Sequence, residues 1–252
     1  MAFYEADGER FRASELTRGP WDPRSQHAGP PAALLGRALE RCEPRAGARI
    51  GRVTLEILGP VPLGPLTVRA GVVRPGRSVE LLEGSLHAPD GELMRARAWR
   101  VRAGEVTLDG ADPAPPGPED GREADFFPTG QDTGYHTAME YRFVRGSFLD
   151  PGPATVWMRM RVPLVAGERP SALERVLVAA DSGNGVSAAL DWRRFIFVNT
   201  DLTVQLLREP AGEWVGLDAV THVDGIGMTD TALFDPDGRI GRATQTLLVR
   251  ER

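Results

Sequence analysis

Two segments of the chain carry apolar residues at helical spacing. The first covers residues 30–41, where two prolines precede a stripe of leucines and alanines. Proline suits the first turn of a helix, because the N–H that it lacks has no partner there. The second covers residues 172–180 and follows Pro170 and a serine. The pattern predicts one helix in each half of the chain.

Alternating apolar and polar residues predict a set of strands after each helix. The first set is 52–58, 66–74, 79–87 and 92–101, and the second is 195–207, 214–222, 228–234 and 239–249. A Pro-Asp-Gly turn separates the last two strands of each set, which is typical of a tight connection between antiparallel strands. Each half therefore combines a helix with an antiparallel meander.

The two halves also match each other in sequence. Residues 53–58 align with residues 202–207 at an offset of 149, and the two Pro-Asp-Gly turns align at an offset of 147. One helix wrapped by such a meander is the hotdog topology. We predict an α+β fold, a tandem (double) hotdog with two antiparallel sheets that each wrap a central helix. The sheets would pair edge to edge and form an internal pseudo-dimer with a cleft between the helices.

The boundaries of the two units follow from a change in composition. Residues 104–124 are acidic, rich in proline and glycine, and without periodicity, which is typical of a linker or surface loop. The expected units are therefore an N-terminal hotdog over residues 1–103 and a C-terminal hotdog over residues 125–252.

Composition and charge restrict the possible functions. The chain has 252 residues with a formal net charge of −5, and all 30 basic residues are arginine. This charge disfavours nucleic acid or an acidic membrane as a partner, since both need a basic surface. One cysteine and four scattered histidines predict neither an internal disulfide nor a metal site. No signal peptide or long apolar run is apparent, so we expect a cytoplasmic protein.

At two positions of the second half, a polar residue departs from the repeat. Gln245 aligns with Ala98, and Asp181 ends the apolar stripe of the second helix. An acid at such a position is either balanced by partners or placed to react. Asn199 and Thr200 precede the strand that matches residues 53–58. A carboxylate, an amide and a hydroxyl on neighbouring elements can hold and deprotonate a water. A helix-ending acid, an edge glutamine and a turn are the structural alternative.

Four segments of the chain resemble the thioesterase-like superfamily, the double-hotdog proteins related to bacterial acyl-CoA thioesterase II. They are residues 21–39, 53–77, 179–181 and 242–245. The resemblance implies that an Asp near the end of the second central helix, a Thr on the next strand and a Gln on the last strand orient the hydrolytic water. Asp181 and Gln245 match two of these positions. The third falls on Asn199, with Thr200 one residue further on, and a one-residue shift turns a strand side chain to the other face. Both residues therefore stay candidates.

The resemblance also implies that backbone N–H groups at the start of a central helix polarise the thioester carbonyl. By position these belong to Ala28 and Gly29, where the helix dipole favours a developing oxyanion. His27 directly precedes them and is grouped with them as substrate-binding. On its own, His27 is expected to cap or pack the start of the helix.

Together these observations predict an acyl-CoA thioesterase that releases a free acid and CoA without cofactor or metal. Asp181 would act as general base and Gln245 would orient the water, with Asn199 or Thr200 completing the site. The acyl chain would lie in an apolar tunnel between the units, and a homo-oligomer of pseudo-dimers is compatible with this arrangement. The first alternative is a non-catalytic acyl-CoA-binding double-hotdog protein. The second is a hydratase or dehydratase, which needs a His paired with an acid, and the sequence has no Asp-x-Asn-x-x-His stretch.

Overall fold

One antiparallel sheet connects the two halves of the chain. The structure is a computed structural model, and it describes residues 1–106, 113–124, 126 and 128–252. The first half contains β1 (Tyr4–Asp7), β2 (Arg10–Ala13), α1 (Gly29–Arg41), β3 (Ala48–Ile57), β4 (Pro65–Arg74), β5 (Val79–Ala88) and β6 (Gly91–Arg102). The second half contains α2 (Tyr135–Ala138), β7 (Met139–Arg145), β8 (Ala154–Met160), α3 (Ala172–Ala180), α4 (Gly183–Val186), β9 (Phe195–Asn199), β10 (Asp201–Leu206), β11 (Val215–Asp224), β12 (Ile226–Asp235) and β13 (Gly238–Glu251).

The order of the strands in the sheet is symmetric about its centre. Within the described residues the order is β1-β2-β4-β5-β6-β3-β10-β13-β12-β11-β8-β7, with β9 beside β13. At the centre β3 pairs with β10, and Thr54 lies directly opposite Thr203. The Thr203 hydroxyl donates to the Thr54 hydroxyl at 3.2 Å. These two threonines are the residues that the offset of 149 matches, so equivalent residues of the repeat meet at the centre of the sheet.

The segments predicted as helices correspond to α1 and α3. Helix α1 packs on β3 to β6, α3 packs on β8 and β11, and the two helices pack on each other. Gly29 permits a close approach of the two helices, because a Cβ at this position would lie 2.5 Å from the Val178 carbonyl oxygen. The first turn of α1 therefore lies against the last turn of α3. None of the described helices has the length and hydropathy that crossing a bilayer requires.

The predicted strand 195–207 is divided in the structure. A bend at Thr200 separates β9 from β10, and the Thr200 N–H donates to the carbonyl of Thr246 on β13 at 2.9 Å. Strands β1, β2, β7 and β8 and helices α2 and α4 were not predicted. Strands β1 and β2 have four residues each, too few to show a period, and the first five residues of β8 are all buried, so β8 lacks alternation.

The predicted linker is only partly covered by the described residues. Residues 107–112 lie outside them, and residues 113–124 form a turn and a single bridge between Arg122 and Phe143. The Trp157 indole donates to the carbonyl of Pro116 at 2.7 Å, which attaches this segment to β8.

Candidate active site

A cavity of about 350 Å³ lies where the first turn of α1 meets the last turn of α3. The bend between β9 and β10, the end of β3 and the segment before α1 contribute to its wall. Most of its lining is apolar, and the large side chains are Trp21, Ile57, Val61, Phe126, Phe148 and Phe197. The cavity is therefore suited to an apolar ligand that brings its polar part to the ends of the helices.

The Asp181 carboxylate lies at the polar end of this cavity. Asp181 is the C-cap of α3, and only 3% of it is exposed. Its Oδ1 accepts a hydrogen bond from Nδ2 of Asn199 at 2.8 Å, and its Oδ2 lies 2.9 Å from Nδ1 of His27. A buried carboxylate needs such donors, because an unpaired charge in this position would cost several kcal/mol.

The His27 ring is held from two sides. It stacks on the Tyr135 ring with centroids 3.7 Å apart and planes inclined by 9°. The Tyr135 hydroxyl donates to the carbonyl of Val178 at 2.7 Å and lies 2.9 Å from the Ser182 hydroxyl. Burial raises the pKa of Tyr135 far above its ordinary value, so this hydroxyl stays protonated. The imidazole of His27 is thus fixed in plane by Tyr135 and in direction by Asp181.

Of the two candidates for the third position, Asn199 is the one that reaches Asp181. Asn199 ends β9, and its side chain turns toward α3. The Thr200 hydroxyl instead donates to the carbonyl of Thr246 at 3.4 Å, although Thr200 also lines the cavity. The bend at Thr200 thus leaves an amide rather than a hydroxyl at the carboxylate.

Gln245 contacts the main chain around Asp181 and does not contact its carboxylate. Its Nε2 donates to the Asp181 carbonyl at 3.1 Å, and its Oε1 accepts from the Asn184 N–H at 3.0 Å. Gln245 is 2% exposed and is not among the residues that line the cavity. Its amide therefore holds the corner between α3 and α4 in place, and the water-orienting role that the sequence predicts stays a prediction.

The first turn of α1 presents few backbone donors to the cavity. Pro30 and Pro31 have no N–H, which leaves those of Ala28 and Gly29. Ala28 lines the cavity, and its N–H has no hydrogen-bond partner among the described residues. The Gly29 N–H points to Nδ1 of His27 at 3.2 Å. Ala28 is therefore the predicted donor that the structure leaves open to a ligand.

A groove of about 480 Å³ adjoins the cavity and shares Pro20 and Trp21 with it. Trp192, Arg193 and Arg252 also line this groove. The guanidinium of Arg193 lies over the Trp192 ring at 5.3 Å, and that of Arg252 lies over the Trp21 ring at 5.6 Å. The groove combines aromatic faces with positive charge.

A second cavity, of about 210 Å³, lies at the other ends of α1 and α3. The offset of 149 maps its residues Ala48, Arg49, Ile50, Leu206, Arg208, Glu209 and Pro210 onto Phe197, Val198, Asn199, Ile57, Gly59, Pro60 and Val61 of the first cavity. In this second cavity Ile50 takes the place of Asn199. The C-cap of α1 is Cys42, whereas the C-cap of α3 is Asp181. The two cavities are equivalent by position and differ in chemistry.

Sequence analysis missed Tyr135 and Ser182, which hold the His27 ring and the end of α3. Tyr135 belongs to a four-residue helix, and its apolar and polar neighbours show no period. Ser182 directly follows Asp181, and this adjacency is the signal that could have identified it. No group of three His, Cys, Asp or Glu side chains in the described residues is arranged to hold a metal ion.

The antiparallel sheet with helices packed against it is similar to solved structures of the hotdog fold. A hotdog-fold protein of unknown function from Alicyclobacillus acidocaldarius has 18% identity and a TM-score of 0.74, with coverage of 99% of this chain and 95% of that one. A putative thioesterase II from Thermobifida fusca has 16% identity and a TM-score of 0.76, with coverage of 98% and 94%. An acyl-CoA thioesterase II from Mycobacterium marinum has 17% identity and a TM-score of 0.66, again with coverage of 98% and 94%.

The sequence itself places the chain within this fold. Residues 17–101 match the acyl-CoA thioesterase N-terminal domain, and residues 112–249 match the acyl-CoA thioesterase C-terminal domain. The chain belongs to the acyl-CoA thioesterase family. A comparison with curated proteins found no match.

Proposed function

We propose that this protein is a double hotdog that hydrolyses an acyl-CoA thioester to a free acid and CoA in the cavity at Asp181. The units would be residues 1–103 and 125–252, joined by residues 104–124. One observation carries the proposal: a carboxylate that is only 3% exposed ends a helix at the polar end of an apolar cavity, with Asn199 and His27 as its partners. Buried and specifically partnered acids in clefts are frequent at catalytic sites.

The reaction needs a water, a base and a donor for the oxyanion. The water adds to the thioester carbonyl carbon while its proton passes to the base, and the carbonyl electrons move to oxygen. Collapse of this intermediate breaks the C–S bond, and the sulfur leaves as the CoA thiol. Asp181 supplies the negative charge that drives the proton transfer, and the Ala28 N–H at the start of α1 would donate to the oxyanion.

The groove beside the cavity has the chemistry that the nucleotide end of CoA requires. An adenine base stacks on aromatic faces, and phosphates pair with guanidinium groups. Trp192 and Arg193 supply both, and Trp21 belongs to groove and cavity alike. An acyl-CoA would thus extend from the apolar cavity into the groove.

The assay for this function measures the CoA thiol that is released from a panel of acyl-CoAs. We expect release above the uncatalysed rate for at least one chain length. Binding of acyl-CoA without release would instead support the binding protein. Addition of water to an enoyl-CoA without release would support the hydratase, for which the contact between His27 and Asp181 is the relevant observation.

The groove is tested by comparing a complete with a truncated substrate. Arg193→Ala is expected to raise KM for acyl-CoA about twofold to fivefold, since an exposed charge pair contributes up to about 1 kcal/mol. The same variant should hydrolyse the acyl thioester of N-acetylcysteamine, which lacks the nucleotide, as fast as the wild type.

The matched control for the groove is Arg194→Ala. Arg194 pairs with Glu251 at 3.1 Å and is not part of the groove lining. An equal effect of both substitutions, or an equal effect of Arg193→Ala on both substrates, would contradict the assignment of the groove.

A further inference from the structure

We propose that His27 is the base that takes the proton of the attacking water. The Asp181 carboxylate holds the His27 ring and stabilises its positive charge. This inference rests on the proposed thioesterase function and names the atom that performs the proton transfer. It differs from the sequence prediction, in which the Asp181 carboxylate itself is the base.

The first step of the argument is the occupancy of the Asp181 carboxylate. One oxygen accepts from Asn199 at 2.8 Å and the other lies 2.9 Å from Nδ1 of His27. Both oxygens therefore have a nitrogen partner, and the residue is almost completely buried. The His27 side chain is 14% exposed and that of Asp181 is 3% exposed, so the imidazole presents more surface than the carboxylate to a water in the cavity.

The second step is the tautomer of His27. Nδ1 lies near both the Asp181 carboxylate and the Gly29 N–H, at 2.9 and 3.2 Å. One nitrogen cannot donate to the first while it accepts from the second. The shorter contact, to the buried Asp181 carboxylate, determines the tautomer, because a charge-assisted hydrogen bond is about twice as strong as a neutral one. The proton then resides on Nδ1, and Nε2 of the neutral ring carries a lone pair.

The third step is the direction of that lone pair. His27 lines the cavity, and its side chain is 14% exposed. Nε2 has no hydrogen-bond partner within the described part of the chain, and it is not among the buried atoms that lack one. It is therefore the basic atom of the pair that is open to the cavity. The stacked Tyr135 ring supports the imidazole in this orientation.

The His27 ring takes up and returns the one proton that must move during the reaction. Nε2 takes one proton from the water as the hydroxide adds to the carbonyl carbon, and the imidazolium is stabilised by the Asp181 carboxylate. When the C–S bond breaks, Nε2 returns this proton to the leaving sulfur. The ring is then neutral again, and the products are the acid and the CoA thiol.

The placement of Gln245 is consistent with this division of roles. Its amide group bonds to the main chain of Asp181 and Asn184, outside the cavity lining. A base on His27 needs no second side chain to direct the water at Asp181. The geometry thus gives Gln245 a positioning role for the helix end that carries the acid.

The test uses three substitutions of His27 in the full chain. In His27→Asn the amide nitrogen replaces Nδ1 as donor to Asp181 but supplies no base, and we expect kcat to fall about 10²–10³-fold. His27→Gln, which loses the donor at Nδ1, should be at least as impaired. His27→Ala opens a space beside Tyr135, and added imidazole should restore part of its activity, whereas imidazole should not restore Asp181→Asn.

The control for these substitutions is His222→Asn, which changes an exposed histidine on β11 outside the cavity lining. It should keep wild-type activity, and melting temperatures of all variants separate chemistry from folding. Wild-type activity in His27→Asn, or no rescue of folded His27→Ala by imidazole, would overturn the role of His27 alone. A wild-type protein that releases no thiol would overturn the proposed function and this inference together.

Discussion

Asp181→Asn is expected to lower kcat for acyl-CoA hydrolysis by about 10²–10⁴-fold, the usual range when proton transfer to a positioned base is lost. Asparagine has nearly the same shape as aspartate, so the last turn of α3 and its contact with Gln245, which uses the main chain of residue 181, should be kept. The substitution removes the charge that stabilises a protonated His27. It also places an amide opposite Asn199, where the carboxylate accepted a hydrogen bond.

The matched control for this prediction is Asp22→Asn. Asp22 also lines the cavity, but its carboxylate is bound by Arg24 at 3.0 Å. It should keep activity close to that of the wild type. Steady-state kinetics of thiol release, with melting temperatures for both variants, check the prediction. If Asp181→Asn stayed within about threefold of the wild type, Asp181 would be structural and another group would have to activate the water.

Glu174→Gln is expected to stabilise the protein at neutral and alkaline pH. Glu174 lies in the first turn of α3 and is 4% exposed. Burial, with the nearby charge of Glu40 as a smaller cause, raises its pKa from 4.5 to about 7. Glu40 itself is bound by the Ser171 hydroxyl at 2.6 Å, and burial raises its pKa as well. Two acids therefore meet at the contact between α1 and α3.

The sign of the pH dependence follows from the proton balance. Between about pH 4.5 and pH 7 the unfolded chain loses the Glu174 proton while the folded chain retains it, so the stability of the wild type falls as pH rises. Above this window the loss is complete, with an upper limit of about 3 kcal/mol. Glutamine does not titrate. We expect it to gain about 1–2 kcal/mol at pH 8, or about 3–6 °C in Tm, and nothing at pH 4.5.

Glu168→Gln is a control for Glu174→Gln in which the melting temperature at pH 8 should change in the opposite direction. Glu168 binds Arg37 and Arg41, and these hydrogen bonds lower its pKa. Its stabilising effect is present at neutral pH and is lost as pH falls, so glutamine should lower Tm at pH 8. Thermal melts from pH 4.5 to 8 distinguish the two. A Glu174→Gln variant that melts below the wild type at pH 8 would contradict the expected gain.

The helices and the central strands were accessible from sequence because local signals define them. Ser171 caps α3 by accepting from the Glu174 N–H, and the prolines at residues 30 and 31 start α1. The offset that aligned Gln245 with Ala98 agrees with the sheet, in which Thr54 pairs with Arg97 and Thr203 pairs with Thr244. The strand pair β3–β6 in the first half therefore has the same register as the strand pair β10–β13 in the second half.

The site could be predicted only in part, because its contacts join distant segments. Asp181 was identified from the place where the repeat breaks, and Asn199 was identified from its position before the paired strand and from the resemblance. The contact of Asp181 with His27 depends on the approach of α1 to α3 at Gly29, which no local pattern reports. The direction of the Asn199 side chain depends on the bend at Thr200, which periodicity cannot distinguish from a continuous strand.

The meeting of Thr54 and Thr203 at the centre of the sheet has an evolutionary consequence. In a symmetric homodimer every mutation appears at both copies of a site, so neither copy can change alone. Joining the two copies in one gene removes this coupling. The first cavity has Asn199 and Asp181, whereas the second has Ile50 in the place of Asn199, so the two equivalent positions carry different chemistry. A single chain with two matching halves can therefore hold one specialised site in place of two identical ones.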